Sequence, residues 1–154
     1  MKTAELDEID RRVLRILQED GRASVKAIAK KVGKLSKVAI SYRMKRLNKA
    51  GVIQGYYTRI DPNSVGQSFL FITGVSIGPK GRSENLIVKK IAALDGVQSV
   101  FQTFGEYDAL VIGRAADAVL ARDLLYRIYH IGGIRDSTTI IAHTVIKQSL
   151  KVTV

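Results

Sequence analysis

The chain has 154 residues, a net charge of +11 and 46% apolar content, enough for one medium domain or two small ones with modest cores. It holds no cysteine and two prolines, which excludes disulfides, thiol chemistry and cysteine-ligated metals and argues against a disordered, proline-rich chain. No apolar run approaches the ~20 residues that cross a bilayer, and Met1-Lys2-Thr3-Ala4-Glu5 is too polar for a signal peptide, so a soluble cytoplasmic protein is expected.

The spacing predicts a first helix from about Leu6 to Glu19, with Asp7 as N-cap and Glu8 and Asp10 as first-turn acids favoured by the helix dipole. Ile9, Val13, Ile16 and Leu17 make its apolar stripe. Ser24 caps a second helix that buries Val25, Ile28, Ala29 and Val32, and Gly33 stands where a left-handed C-cap belongs. After Gly33-Lys34-Leu35, Ser36 caps a third helix that turns Ile40, Met44 and Leu47 inward and ends near Ala50-Gly51. Three short helices, the last two joined by a tight glycine-containing turn, form the pattern of a helix-turn-helix. Apolar spacing alone also fits an ordinary three-helix bundle.

From Val52 to Ile60 the composition favours strand, with Gly55 as a bend and Asp61-Pro62-Asn63 as a turn, so a hinge is placed across Val52–Gly66. Beyond it, strand Phe69–Ile77 leads through Gly78-Pro79-Lys80-Gly81 to a helix capped by Ser83 with Leu86, Ile87, Ile91 and Leu94 inward. Strands Val97–Phe104 and Ala109–Arg114 flank a tight connection at Gly105–Asp108. A helix capped by Asp117, with Leu120, Leu124, Ile128 and Ile131 inward, stops at Gly132-Gly133, and Ile134–Lys147 reads as a long last strand. The order β-α-β-β-α-β is the ferredoxin-like arrangement, a four-stranded antiparallel sheet with two helices on one face. The expected fold class is therefore α+β: a helix-turn-helix domain over 1–51, a linker strand over 52–66 and a ferredoxin-like domain over 67–154. The last strand reads as apolar on both sides, with Ile134, Ile140 and Ala142 on one and Ile141 and Val145 on the other. Burial on both faces in so small a domain suggests pairing of two sheets in a dimer.

The charge is uneven. Residues 1–62 carry 15 basic and 7 acidic residues, a net of +8, whereas the remainder carries +3. Gly21–Ala50 holds ten basic residues and no acid: Arg22, Lys26, Lys30, Lys31, Lys34, Lys37, Arg43, Lys45, Arg46 and Lys49. A polyanion partner explains this, because each cation that neutralises a phosphate releases condensed counterions; a solvated basic face is the alternative.

These elements resemble the Lrp/AsnC family, also called feast/famine regulators, over nearly the whole chain. The resemblance is carried by Leu6-Asp7-Glu8-Ile9-Asp10 with Val13-Leu14 and Leu17, by Leu35-Ser36 through Ser41-Tyr42-Arg43-Met44-Lys45-Arg46-Leu47, and by Gly51-Val52-Ile53. Gly105-Glu106-Tyr107-Asp108 and Ser137-Thr138-Thr139 are similar to parts of that family's ligand-sensing domain. The resemblance implies a transcriptional regulator, a dimer built by the C-terminal domains and often assembled into rings, and an amino-acid or similar effector at contacts between dimers. Two positions depart from many members: Lys37 stands where a proline or small polar residue is common, and Tyr42 where a serine or arginine is common. Both lie on the expected DNA-reading surface, so a relative's operator does not carry over.

With Ile40, Met44 and Leu47 inward, the third helix presents Lys37, Val38, Ser41, Tyr42 and Lys45 to a major groove. Ser41 and Tyr42 can hydrogen-bond to base edges or phosphates, and Val38 can touch a thymine methyl. Ser36 serves better as a cap than as a base reader, although the amides of that helix end can hold phosphate. Arg43, Arg46 and Lys49 flank the helix, either touching the DNA backbone or packing locally, while Arg22, Lys26, Lys30 and Lys34 widen the phosphate footprint. A two-fold dimer would then read a pseudo-palindromic operator on double-stranded DNA. For the effector, Gly105 permits close backbone approach, Glu106, Tyr107 and Asp108 form the loop with Asp108 able to pair an amino group, and Ser137, Thr138 and Thr139 offer hydroxyls. The same loop also reads as an ordinary polar hairpin. No cofactor or metal site is expected: His130 and His143 lack paired spacing or a carboxylate partner, and no phosphate loop, nucleophile elbow or paired-carboxylate motif is present, so an enzyme is disfavoured. The remaining rival is an architectural DNA-binding protein of low sequence specificity and no effector. RNA binding is weaker still, since the strands carry no aromatic base-stacking platform.

Overall fold

Capping chemistry starts each helix of the N-terminal region at the residue the sequence marks. In the computed structural model, which describes residues 5–33, 35–78 and 84–154, α1 spans Glu8–Glu19, α2 Val25–Val32 and α3 Lys37–Lys49. Asp7, Ser24 and Ser36 each accept a hydrogen bond from a backbone N–H three residues on, filling a donor the helix itself leaves open. Val13, Leu14, Ile28, Val32, Ile40 and Leu47 form the buried centre, with Ile9, Ile16, Leu17 and Met44 packed around it. Gly33 takes φ 76° and ψ 148°, using glycine's tolerance of positive φ without entering the left-handed helical well.

The chain divides into two units, one formed by Met1–Arg59 with Ser149–Val154 and the other by Ile60–Gln148. The second contains β1 (Phe69–Ile77), α4 (Glu84–Ala92), β2 (Val97–Gln102), β3 (Ala109–Ala115), α5 (Ala118–Tyr129) and β4 (Ile134–Ile141). All pairings are antiparallel and the strand order is β2-β3-β1-β4, the ferredoxin-like order. One sheet face, with Phe71, Val75, Ala109, Val111 and Ala115, packs against Ile87, Val88 and Ile91 of α4 and Ala121, Leu124 and Ile128 of α5. On this face Phe71 lies opposite Gly113, where an added Cβ would stand 2.3 Å from the ring; only glycine leaves room for the phenyl group.

Several sequence-based boundaries shift, each for a physical reason. Residues Val52–Ile60 form no strand, because β-propensity supplies no ladder partner; Val52 and Ile53 instead donate their N–H groups to Leu47 O and pack on the helical core. The last strand ends at Ile141, not Lys147, since among the described residues it pairs only with β1 and that pairing ends at Phe71↔Ile141. β2 likewise stops at Gln102, where it pairs with Ala109, the first residue of β3. Leu86 and Leu120 are exposed, not inward: the sheet lies against the Ile87/Val88/Ile91 and Ala121/Leu124/Ile128 lines, leaving both leucines on the helix flanks. A register shift between Ser76 and Ile77 separates two residues expected on one side. Ile134 pairs with Ile77 and joins the helix-covered core, whereas Ile140 faces the opposite side with Ile72, since an extra residue in one strand inverts the alternation. Ser83 and Gly78-Pro79-Lys80-Gly81 beyond Gly78 lie outside the described residues.

Candidate nucleic-acid interface and effector region

The two sides of α3 are chemically opposite. Ile40 and Leu47 are buried and Met44 half-buried, while Lys37, Val38, Tyr42, Lys45 and Lys49 are exposed and Ser41 is half-buried. Val38 and Tyr42 are 78% and 69% exposed, unusual for a valine and an aromatic ring with no internal packing role. Ser36 Oγ accepts the Ala39 N–H at 3.1 Å, so the cap role expected of it is filled. Arg22 and Lys26 are exposed, as are Lys30 and Lys31; Lys34 lies outside the described residues. Among the described residues, none of Arg22, Lys26, Lys30, Lys31, Lys37, Lys45 and Lys49 pairs with a carboxylate. Their charge is left for an external anion.

Arg43 and Arg46 are engaged differently. Asp10, with no solvent exposure, receives Arg43 Nη1 at 2.8 Å and also Arg46 Nη2, and Asp7 receives Arg43 Nη1 at 2.5 Å. Asp7 and Asp10 also form a reciprocal capping box at the start of α1: the Asp10 N–H donates to Asp7 Oδ1 at 2.8 Å and the Asp7 N–H to Asp10 Oδ2 at 3.3 Å. The Asp10 N–H, and then the Arg43 guanidinium, hold the Asp7 carboxyl below its usual value, while Asp7 and then Asp10 raise Arg43. Both arginines pack locally, where they clamp α3 to α1. The clamp was missed because an acid at the third helical position reads first as dipole chemistry; the spacing Asp7-x-x-Asp10 with Arg43-x-x-Arg46 is the signal that carries it.

In the second unit the loop Gly105–Asp108 follows β2. Gly105 adopts φ 142° with open space where a Cβ would stand, a backbone setting that disfavours side chains. Glu106 is exposed, and Phe104 beside it is fully exposed. Asp108 is half-buried; its Oδ2 accepts the Ile77 N–H at 2.6 Å and its own N–H donates to Val75 O at 2.9 Å. The Tyr107 ring lies over Gly74, where an added Cβ would stand 2.6 Å from it. A glycine inside an otherwise apolar strand is the sequence sign of such an approach, and Gly74 was not singled out.

The three hydroxyl residues of β4 do not share a face. Ser137 and Thr139 pair with Val75 and Thr73 on the helix-covered side, and Thr138 pairs with Gly74 on the other, the side of Tyr107. Thr139 Oγ1 is 3.0 Å from Thr73 Oγ1, and Thr73 is fully buried, so that hydroxyl is internally partnered. Tyr107 and Thr138 are thus brought together on one face, while Thr139 and Ser137 are turned away from them.

Among the described residues no group of three or more His, Asp or Glu gathers as a metal site, and no helix is long and apolar enough to cross a membrane. His130 Nδ1 lies 2.9 Å from Tyr126 O with its ring stacked at 3.9 Å on Tyr126, and His143 contacts Thr144.

Residues 6–48 match the AsnC-type helix-turn-helix domain and residues 71–152 the Lrp/AsnC ligand binding domain. The chain is 36% identical over 140 residues to the HTH-type transcriptional regulator LrpA of Mycobacterium tuberculosis, covering 90% of this chain and 91% of that one. It superposes with TM-score 0.86 and 29% identity on the feast or famine regulatory protein of M. tuberculosis complexed with L-methionine, over 97% and 99% of the two chains. A transcriptional regulator from Neisseria meningitidis in complex with L-Met matches with TM-score 0.86 and 25% identity over 96% of each chain. A helix-turn-helix with unpaired cations on its outer side, followed by the family's sensing fold in register, makes this chain a transcriptional regulator of the Lrp/AsnC family.

Proposed function

We propose that this protein binds a pseudo-palindromic operator as a cytoplasmic homodimer, or as a higher assembly of dimers, with α3 in the major groove, and that an amino acid modulates the binding. The carrying observation is the outer side of α3, where Lys37, Val38, Ser41, Tyr42 and Lys45 stand together without internal partners. Val38, Ser41 and Tyr42 read bases, while Lys37, Lys45, Lys49, Arg22, Lys26 and Lys34 meet phosphates. Ser36 fixes the helix start, and Arg43 and Arg46 fix the helix on α1. The working parts are a DNA-binding domain over 1–51, a linker over 52–66 and a sensing domain over 67–154. The boundary at Arg59–Ile60 falls within that linker and supports the first division, whereas Ser149–Val154 group with the DNA-binding unit and move the end of the sensing domain to Gln148.

Dimerisation is supported by the sheet face that the helices leave open, where Ile72, Leu110 and Ile112 are half-buried and Phe101 and Ile140 are 52% and 65% exposed; such a patch is commonly an interface. For the effector, the likeness to two regulators solved with L-methionine supports an amino acid. Gly105, Glu106, Tyr107 and Asp108 with Thr138 are the residues to which we assign it; Ser137 and Thr139 support the strand from its other face. Selection of bound genomic fragments, repeated with and without each amino acid, tests the whole reading. Enrichment of one symmetric motif that shifts with an amino acid supports it; uniform coverage of all fragments identifies an architectural protein instead. Calorimetry without heat from any amino acid removes the effector assignment.

A further inference from the structure

Residues Ser149–Val154 belong to the DNA-binding unit, although they follow directly on the sheet unit in sequence. The chain therefore passes between the units twice, at Arg59–Ile60 and at Gln148–Ser149. On α1, the Gln18 side chain pairs with the backbone of Val152 as a neighbouring strand would. Its Nε2 donates to Val152 O at 3.0 Å and its Oε1 accepts the Val152 N–H at 2.7 Å. Arg15 Nε donates to the Val154 main-chain oxygen at 2.9 Å, with Glu8 holding the same guanidinium at 3.3 Å. Val154 packs on the helical core, and Lys151 pairs with Glu19 at 2.7 Å.

The roots of both crossings are fixed by one residue of the sheet unit. Arg114 is 7% exposed and has no carboxylate partner among the described residues; its Nη1 donates to Gln67 O at 3.2 Å and its Nη2 to Gln148 Oε1 at 3.1 Å. Gln67 follows the first crossing and Gln148 precedes the second. The middle of the C-terminal segment is lightly held, since Leu150 and Val152 are 88% and 67% exposed and an exposed ion pair such as Lys151–Glu19 adds little. Few buried contacts and exposed hydrogen bonds mark a segment that opens locally.

We propose that Ser149–Val154 is a releasable strap. Docked on α1 of its own chain, it gives the DNA-binding unit a second connection and narrows the orientations its reading helix can take; undocked, it leaves the hinge as the sole tether. The inference rests on the operator reading above for its consequence, but not for the docking itself.

Two measurements on the full chain test it. In amide exchange, the Val152 N–H is expected to exchange slowly, and Gln18→Ala to speed it about tenfold, the size of the hydrogen bonds removed, while α1 amides keep their protection. Val152 exchanging as a free peptide in the wild type overturns the docking, and protection that vanishes on dilution assigns the segment to a second copy and overturns a strap within one chain. On selected operators whose half-sites are moved apart by half a helical turn, the wild type is expected to lose affinity at least threefold more steeply than Gln18→Ala. Equal dependence in the two proteins overturns the orienting role. If no fragment is preferred by either protein, the operator reading fails, and the exchange result alone upholds or overturns the docked strap.

Discussion

Replacing Asp10 with alanine tests whether α3 is set on α1 by a buried carboxylate. Removing one partner of a buried pair costs about 3–5 kcal/mol when the other charge is stranded. Here Asp10 has no exposure, but the side chains of Arg43 and Arg46 keep 21% and 46%, so water takes up part of the orphaned charge. The alanine variant also loses the acceptor for the Asp7 N–H. The expected loss is about 2–3 kcal/mol, with Asp10→Asn about half of it because an amide oxygen still accepts one of these donors. Because the chain has two units, a single global melt does not isolate the effect. Urea-dependent exchange of core amides at Val13 and Ile40 reads the helical unit directly. A loss under ~0.5 kcal/mol, the range of surface substitutions, or strict additivity between Asp10→Ala and Arg46→Ala, would refute the clamp.

Gly113→Ala places a methyl against the Phe71 ring, which is fully buried and has nowhere to retreat; a loss of about 1–3 kcal/mol from overpacking is expected in thermal unfolding of the sheet unit, and an unchanged transition contradicts the close approach. The Asp7 carboxyl lies below its ordinary 3.8 in the folded state. Its contribution to stability is therefore complete above 3.8 and lost as pH falls through the lowered folded value. Asp7→Asn keeps a capping side chain without the charge, so its stability difference from the wild type should shrink on acidification below pH 3.8; a constant difference refutes the assignment. Lys45→Ala, at an exposed and unpaired site, should leave stability within about 0.5 kcal/mol and make the salt dependence of operator binding shallower by about 0.9 in log–log slope. An unchanged slope removes Lys45 from the phosphate contacts.

Much of the molecule is legible in the order of its residues because the relevant physics is local. Asp7, Ser24, Ser36 and Asp117 start helices by satisfying amides three residues away, a short-range interaction that spacing reveals. β1 begins and ends at Phe69 and Ile77, where the apolar run itself begins and ends. The basic stretch is read directly from composition, and the inward Ile40 and Leu47 and the outward Lys37, Val38 and Tyr42 follow from helical periodicity, so the candidate DNA-reading surface is legible in the sequence.

Tertiary structure decided what depends on partners far away in sequence. Strand propensity at Val52–Ile60 met no neighbour, and β4 stopped at its last pair with β1, Phe71↔Ile141, because a ladder needs two strands. The Ser76/Ile77 shift divided Ile134 from Ile140, and strict alternation divided Thr138 from Ser137 and Thr139, so one hydroxyl-rich run became two unrelated surfaces. Asp10 became the anchor of Arg43 and Arg46, across more than thirty positions, and Tyr107 found the bare backbone of Gly74. Composition and periodicity fix which residues prefer burial, helix or strand. Which charge is neutralised within the protein and which is left for DNA is fixed only when α1 and α3 are packed, because Coulomb partners are chosen by distance in space.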